Sequence, residues 1–299
     1  RGRDLAWVEG AVLLRCAPGV DPLAACRILE REPAVRAVHP DWLRPLPVRN
    51  SVPADPLFGN QWHLANTGQG GGLAGADIGA LTAWNHSVGA GVTIAVIDTG
   101  VDSSHGDIQQ TASGFDPQQG AGPGFGHDQS GHGTRVAGVA AATGGNGTQV
   151  AGVAWQATGM PIRLRSGGGY GTPSEESACF VYASDHGADV ITNSWGPDGV
   201  PFPLPFLVEQ SFIYAVSNGR GGLGCPIFWA AGNGNEDITG DEYVSSGLTV
   251  AVGASTNFDQ RSSYSDYGAA LDLVAPSSGG TRAINTSDLG NGTTLMFGG

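Results

Sequence analysis

Three short stretches carry side chains whose types and surroundings suit nucleophilic acyl chemistry. Ile97-Asp98-Thr99-Gly100 sets a carboxylate at the end of an apolar, β-branched run, and Ser130-Gly131-His132-Gly133-Thr134-Arg135 sets an imidazole at the start of a small-residue helical stretch. Trp229-Ala230-Ala231-Gly232-Asn233-Gly234-Asn235 ends a third apolar run in an amide between glycines. An aspartate that holds imidazole in one tautomer is what the general base of a Ser or Cys nucleophile requires. An Asn amide nearby could donate to the developing oxyanion, a contribution whose loss costs roughly a hundred- to a thousandfold in rate. Each stretch alone has a plainer reading: Asp98 as a turn cap before Gly100, His132 as a structural hydrogen bonder, Asn233 as a turn residue with positive φ. Asp-Thr-Gly also occurs in aspartic proteases, but those need two carboxylates sharing a proton, and this sequence has no second copy. His105, His127, Asp102, Asp107 and Asp128 lie nearby and leave a metal reading to weigh, against which stands the lack of any His-Glu-x-x-His spacing. Taken together, the three stretches favour acyl transfer.

Such groups must be placed by a framework, and the pattern predicts one. The runs 92–97, 159–165, 189–192, 227–230 and 248–252 are apolar on both faces, as buried parallel strands are. Between them, 132–143, 173–186 and 205–218 have helical length, the last two opening with Pro. Alternating strand and helix predicts an α/β, doubly wound, mostly parallel sheet, with chemistry at the carboxyl ends of the strands. Ahead of it, residues 1–49 read as a small α+β piece: a strand at 10–15, a helix over 21–31 and a second strand at 35–38, closed by a Pro-rich linker at 44–53. A piece of that size cannot be stable alone and is expected to pack on the body, 50–299.

Charge separates the two parts. Residues 1–49 hold 8 Arg against 6 acids and residues 50–299 hold 6 Arg against 21, so a mildly basic leader precedes a strongly acidic body. The net charge of −13 argues against nucleic-acid or anionic-membrane partners. Charged residues are only 14%, against roughly 25% in an average domain, and there are 50 glycines among the 299 residues, which points to a loop-rich globular chain. No apolar run approaches the roughly 18 residues needed to span a bilayer. The start, Arg1-Gly2-Arg3-Asp4, has neither initiator Met nor apolar signal core, and reads as cut.

With Asp98, His132 and Asn233 in order, the chain resembles the subtilisin-type serine endopeptidases, nearest their kexin-like branch. Asp55-Pro56-Leu57-Phe58-Gly59-Asn60-Gln61-Trp62-His63-Leu64 is similar to the opening of the kexin-like catalytic domain, and Asn193-Ser194-Trp195-Gly196-Pro197-Asp198-Gly199 to its substrate-pocket motif. Pro18-Gly19-Val20 and Val38-His39-Pro40-Asp41 resemble the C-terminal part of the family's inhibitory propeptide. The resemblance implies a secreted, monomeric peptidase that acts on peptides or proteins, with Asp98 orienting His132, Asn233 as oxyanion donor, and residues 1–49 as its own inhibitor. The family's nucleophile follows a Gly-Thr-Ser pattern, and the chain stops at Phe297-Gly298-Gly299, where that pattern would begin; as written it is expected to be inactive. A serine-free homologue that binds peptides or acts as a decoy is the alternative.

The resemblance also implies finer roles. Ser194, Trp195, Gly196 and the stretch Gly167, Gly168, Gly169 would bind substrate, while Asp198 and Asp241 would form an acidic first pocket favouring a basic residue before the cut. Thr99 stands where dibasic-cleaving relatives have Asp, and the Gly-rich stretch lacks a further acid, so a strict dibasic rule is not implied. A structural Ca²⁺ would be held by Asp55, Asp107, Asn146, Thr148 and Val150, the last two through carbonyls. A second site near Asp116 looks depleted, because Gln118 and Gln119 stand where acids would be expected. Cys16, Cys26, Cys179 and Cys225 have no metal-type spacing, and Val136 replaces the Cys of the family bridge.

Overall fold

The computed structural model describes residues 2–4, 12–14, 16, 17, 19–38, 52–164, 171–196, 199 and 201–299. Two compact units are distinguished, Arg1–Pro47 and Val48–Gly299. In the first, β1 (Gly2–Asp4) pairs antiparallel with β2 (Val12–Leu14), and α1 (Pro22–Leu29) follows. Helix α1 starts where the sequence says it should, because the Asp21 carboxylate accepts the Leu23 N–H and Pro22 opens the first turn. The expected strand at 35–38 does not form: β2 takes β1 as its partner, and residues 31–36 are spent in turns closed by Val35 N–H on the Glu32 carbonyl.

In the second unit, two short 3-10 turns, Phe58–Asn60 and Gln69–Gly71, and the short helix α2 (Ala80–Ala83) precede a sheet built on β3 (Thr93–Asp98), β4 (Gly114–Asp116), β5 (Gly120–Gly122), β6 (Thr158–Arg163), β7 (Val190–Asn193), β8 (Ile227–Ala230), β9 (Val250–Ser255) and β10 (Leu273–Pro276). Among the described residues these form one sheet in the order β10-β9-β8-β7-β3-β6-β4-β5, parallel except for β4–β5. Helices α3 (His132–Ala141), α4 (Pro173–Asp185), α5 (Phe206–Gly222) and α6 (Glu242–Ser245) lie between strands in the chain, and β11 (Ile284–Asp288) with β12 (Gly292–Phe297) makes a separate hairpin. This is the predicted doubly wound α/β fold.

The period-2 alternation of β3 shows how the layers are made. Ile94 and Val96 face a core with Val136, Ala137 and Ala141 of α3; Ala95 and Ile97 face the other, larger core with Phe180 of α4, Phe212 of α5 and Trp229. Strand β3 therefore carries no polar face and ends its run in Asp98, at the point where the chain order reverses between β6 and β7. In open α/β sheets the crevice for ligands lies at such a switch point. Helix α5 loses helical backbone at Gly219–Gly221, so its regular part ends at the residue the sequence pattern gave, Asn218.

Candidate active site

Asp98 and His132 meet because α3 begins hard against the end of β3. The Asp98 carboxylate is buried, 2% exposed, and its Oδ1 accepts from the Thr99 N–H at 2.7 Å and pairs with His132 Nδ1 at 2.8 Å. The helix start is fixed from two sides. Asp128 takes the N–H groups of Ser130, Gly131 and Thr134 and the Thr134 hydroxyl at 2.6–3.0 Å, satisfying donors that a helix N-terminus leaves open. Thr99 Oγ1 accepts the Gly133 N–H at 2.9 Å, and Gly133 has no room for a side chain: a Cβ there would lie 2.0 Å from the Gly100 carbonyl oxygen. Asp128, weighed in the sequence as a metal ligand, is thus a helix cap, a role its spacing before Ser130 and Thr134 could have signalled.

With Asp98 accepting, His132 carries its proton on Nδ1 and leaves Nε2 free as a base. Burial lowers the pKa of His132, but the hydrogen bond and charge of Asp98, with Asp128 behind it, outweigh that, so the value is raised above 6.5. Phe297 sets its ring edge-on to the imidazole, centroids 5.6 Å apart.

Asp98, His132, Ser194, Asn233 and Asp241 line one cleft of about 330 Å³, together with Trp195, Gly196 and residues 297–299. Trp195 is held by its Nε1–H on the Ile97 carbonyl, and its own carbonyl accepts from Trp229 Nε1, both at 2.8 Å. Asn233 projects from the loop after β8, where Gly232 adopts φ +115° and packs on Asp266, whose Oδ2 lies 2.1 Å from where a Cβ would be. Asp241 is 8% exposed and caps α6. Burial first, and then the charges of Asp266 and Glu236, raise its pKa despite the amides of Tyr243 and Val244. Glu236 and Asp266 line the same cleft and were not singled out from sequence, since neither sits in a recognisable motif. Gly167, Gly168, Gly169 and Asp198 fall outside the described residues.

The five residues assigned to a cation come together elsewhere. Asp107, 1% exposed, accepts from Asn146 Nδ2 at 2.7 Å, Thr148 Oγ1 at 2.9 Å and the Val150 N–H at 3.3 Å. Asp55, 5% exposed, accepts from the Gly145 N–H through Oδ2, while its Oδ1 and Gln149 Oε1 are buried without a hydrogen-bond partner. Burial foremost, with Asp55 contributing repulsion, raises the pKa of Asp107. Asn146, Thr148 and Val150 thus meet Asp107 through donors, and Asn146 Oδ1 accepts from Thr148; what fits a hard cation such as Ca²⁺ is the pair of buried carboxylates with Asp55 Oδ1 left unpaired. Near Asp116 the carboxylate is already taken, by Arg163 Nε at 2.8 Å and Nη2 at 2.5 Å.

Known proteins resemble this chain in sequence and fold. The Subtilase family model matches residues 89–299. A calcium-dependent protease of Trichormus variabilis is 37% identical over 96% of the chain, and kexin of Saccharomyces cerevisiae is 34% identical over 82%. The chain spans 45% and 31% of those two relatives. Among solved structures, the serine protease of Aeromonas sobria in complex with a chaperone aligns with a TM-score of 0.70 at 25% identity, covering 79% of this chain and 46% of that one. A protease from Pseudoalteromonas arctica aligns at 0.67 and 25% identity, over 83% and 82%. Since the family match takes in β3, α3 and the Asn233 loop, the likeness extends to the elements that carry the site, and the chain belongs to the subtilase family.

Proposed function

We propose that the protein is a serine endopeptidase in which His132 is the general base, Asp98 its orienting partner and Asn233 the oxyanion donor. The observation that carries this reading is the 2.8 Å bond between His132 Nδ1 and the buried Asp98, in the cleft that Asn233 also lines. In the reaction, His132 Nε2 takes the proton of a serine hydroxyl as the oxygen attacks the peptide carbonyl. Asn233 donates to the oxygen that becomes negative, and His132 then returns the proton to the leaving amine. A serine placed shortly after Gly299 would enter this cleft, since Phe297, Gly298 and Gly299 line it and Gly299 lies beside Asn233.

Three finer readings go with it. The carboxylates of Asp241, Glu236 and Asp266 around one cleft support a basic residue before the scissile bond; Asp198, which the resemblance adds to that pocket, lies outside the described residues. The loop of Asp55, Asp107, Asn146, Thr148 and Val150 would hold Ca²⁺, which when bound supplies charge compensation and loop order rather than chemistry. Residues 1–49 act as the propeptide of a secreted zymogen, a basic leader that precedes an acidic body in the chain and is released by a cut near Arg49. The name of the Trichormus relative supports the calcium reading.

The test is a form of the protein carrying Thr-Ser and small residues after Gly299, assayed on peptides that differ only before the cut. Cleavage after Arg, with Asn233→Ala lowering kcat roughly a hundred- to a thousandfold, supports the reading. No cleavage of any peptide, or an Asn233→Ala variant as fast as the parent, refutes it.

A further inference from the structure

The turn of the β11–β12 hairpin is fastened to the cation loop. Asn291 Oδ1 accepts the Gly106 N–H at 2.9 Å, and the Asn291 carbonyl accepts from Gln149 Nε2 at 2.6 Å. On either side of it, Gly290 N–H donates to Asp102 Oδ2 at 2.8 Å and the Gly292 carbonyl meets His105 Nε2 at 3.1 Å. Gly106 immediately precedes Asp107, and Gln149 lies between Thr148 and Val150, so both fastening residues border assigned ligands. Gln149 is held at φ +42°, a left-handed backbone that non-glycine residues seldom adopt, and its Oε1 is buried and unpaired.

The other end of the hairpin reaches the catalytic cleft. Strand β12 ends in Phe297, whose ring meets His132, and Gly299 N–H donates to Ser277 Oγ at 3.0 Å. Arg135, one turn after His132, makes a two-pronged bond at 3.0 Å on each prong to Asp288, which borders the turn, and its carbonyl accepts from Thr286 Oγ1, in the middle of β11, at 2.8 Å. The hairpin is therefore a strut between Asp107 and His132.

We propose that Gln149 and Asn291 are positioning residues that couple cation binding to the catalytic cleft: order in loop 146–150 fixes the hairpin turn, and the hairpin fixes Phe297 and Gly299 beside His132. This rests on the calcium reading above. Without a cation, Asp55 and Asp107 are two buried like charges in one loop, and their repulsion works against the contacts that seat Gln149 on Asn291.

The experiment uses the 1–299 chain with Ca²⁺ alone, at one pH above the His132 titration. Calorimetry reads binding, amide hydrogen exchange reads Gly290, and NMR reads the His132 ring protons, whose shift depends on the Phe297 ring. In the parent, Ca²⁺ slows Gly290 exchange at least tenfold and moves the His132 signals. Asn291→Gly keeps the left-handed backbone and every oxygen of the loop, so it binds Ca²⁺ within about threefold of the parent, yet its His132 signals no longer respond; Gln149→Gly, which also removes the unpaired Oε1, loses the same response when saturated with Ca²⁺. The inference is overturned if Ca²⁺ binds but leaves Gly290 and His132 unchanged in the parent, or if both variants respond as the parent does. Absence of Ca²⁺ binding by the parent overturns the calcium reading itself, and this one with it.

Discussion

Gly133→Ala probes the contact that brings the imidazole to its carboxylate. Alanine favours helix over glycine by about 1 kcal/mol, so propensity alone would stabilise α3. Space decides otherwise, because the new Cβ would lie 2.0 Å from the Gly100 carbonyl oxygen and 3.0 Å from Asp98 Cβ, where ordinary contact begins at 3.4 Å. Both neighbours belong to the main chain or its root and cannot swing aside, so α3 must retreat from β3 by more than about 1 Å. Overpacking of this kind costs about 1–3 kcal/mol, which for a domain of this size lowers the melting temperature by roughly 2–4 °C per kcal/mol. Such a shift is enough to break the 2.8 Å bond between His132 and Asp98, and misplacement of about 1 Å costs roughly a hundredfold in rate. It also removes the hydrogen bond that does most to raise the pKa of His132 against burial, so the value falls from that of the parent. The sign of the pH effect follows. In the parent, the raised pKa gives stability that is fully present below pH 6.5 and is lost as pH rises through the folded value; in the variant that dependence shrinks. Thermal melts from pH 5 to 9 and an NMR titration of His132 measure both effects. A variant that melts and titrates like the parent refutes the packing argument.

Further expectations concern the cation, the pocket and the sheet edge. Chelation should lower the melting temperature of the parent, and Asp107→Ala should abolish that response; identical curves with and without chelator remove Asp55, Asp107 and Asn146 from the metal site. Asp241→Asn should reduce kcat/KM for Arg before the cut more than for Leu, by about tenfold, and an equal loss for both would deny Asp241 a role in selecting charge. Asp116→Ala leaves the buried Arg163 guanidinium with only the His127 carbonyl, at 3.3 Å, and should cost about 3–5 kcal/mol. Denaturant melts check it, and a loss under 1 kcal/mol would mean that Arg163 finds water or another partner.

What the sequence revealed was mostly what repeats with a period or sits in a motif. The buried strands of the sheet and α3, α4 and α5 follow from apolar runs and helical spacing, and Asp98, His132 and Asn233 from the chemistry of their types. Strands β4, β5, β11 and β12 escaped because short strands holding Gly, Thr, Ser or Asp have no apolar signature; β12 reads Gly-Thr-Thr-Leu-Met-Phe, with Leu295 and Met296 exposed. Strand β10, Leu-Val-Ala-Pro, is apolar but only four residues long, ends in Pro and is half exposed at the sheet edge. The strand expected at 35–38 failed because strand pairing is a long-range choice that local β-branched residues do not determine. Glu236 and Asp266 were invisible for a related reason. They reach the cleft only through the ladder in which Asp266 Oδ1 accepts the Glu236 N–H and Asp266 N–H donates to the Gly232 carbonyl.

The central claim is that His132, oriented by Asp98, activates a serine brought in beyond Gly299. Its most direct test is labelling by a phosphonate directed at serine hydrolases, with the adduct located by mass spectrometry, in a form carrying Thr-Ser after Gly299 and in its His132→Ala variant. The account predicts one adduct, on the added serine, absent from the variant and from the 1–299 chain. An adduct on any other residue, or undiminished labelling without His132, would contradict it.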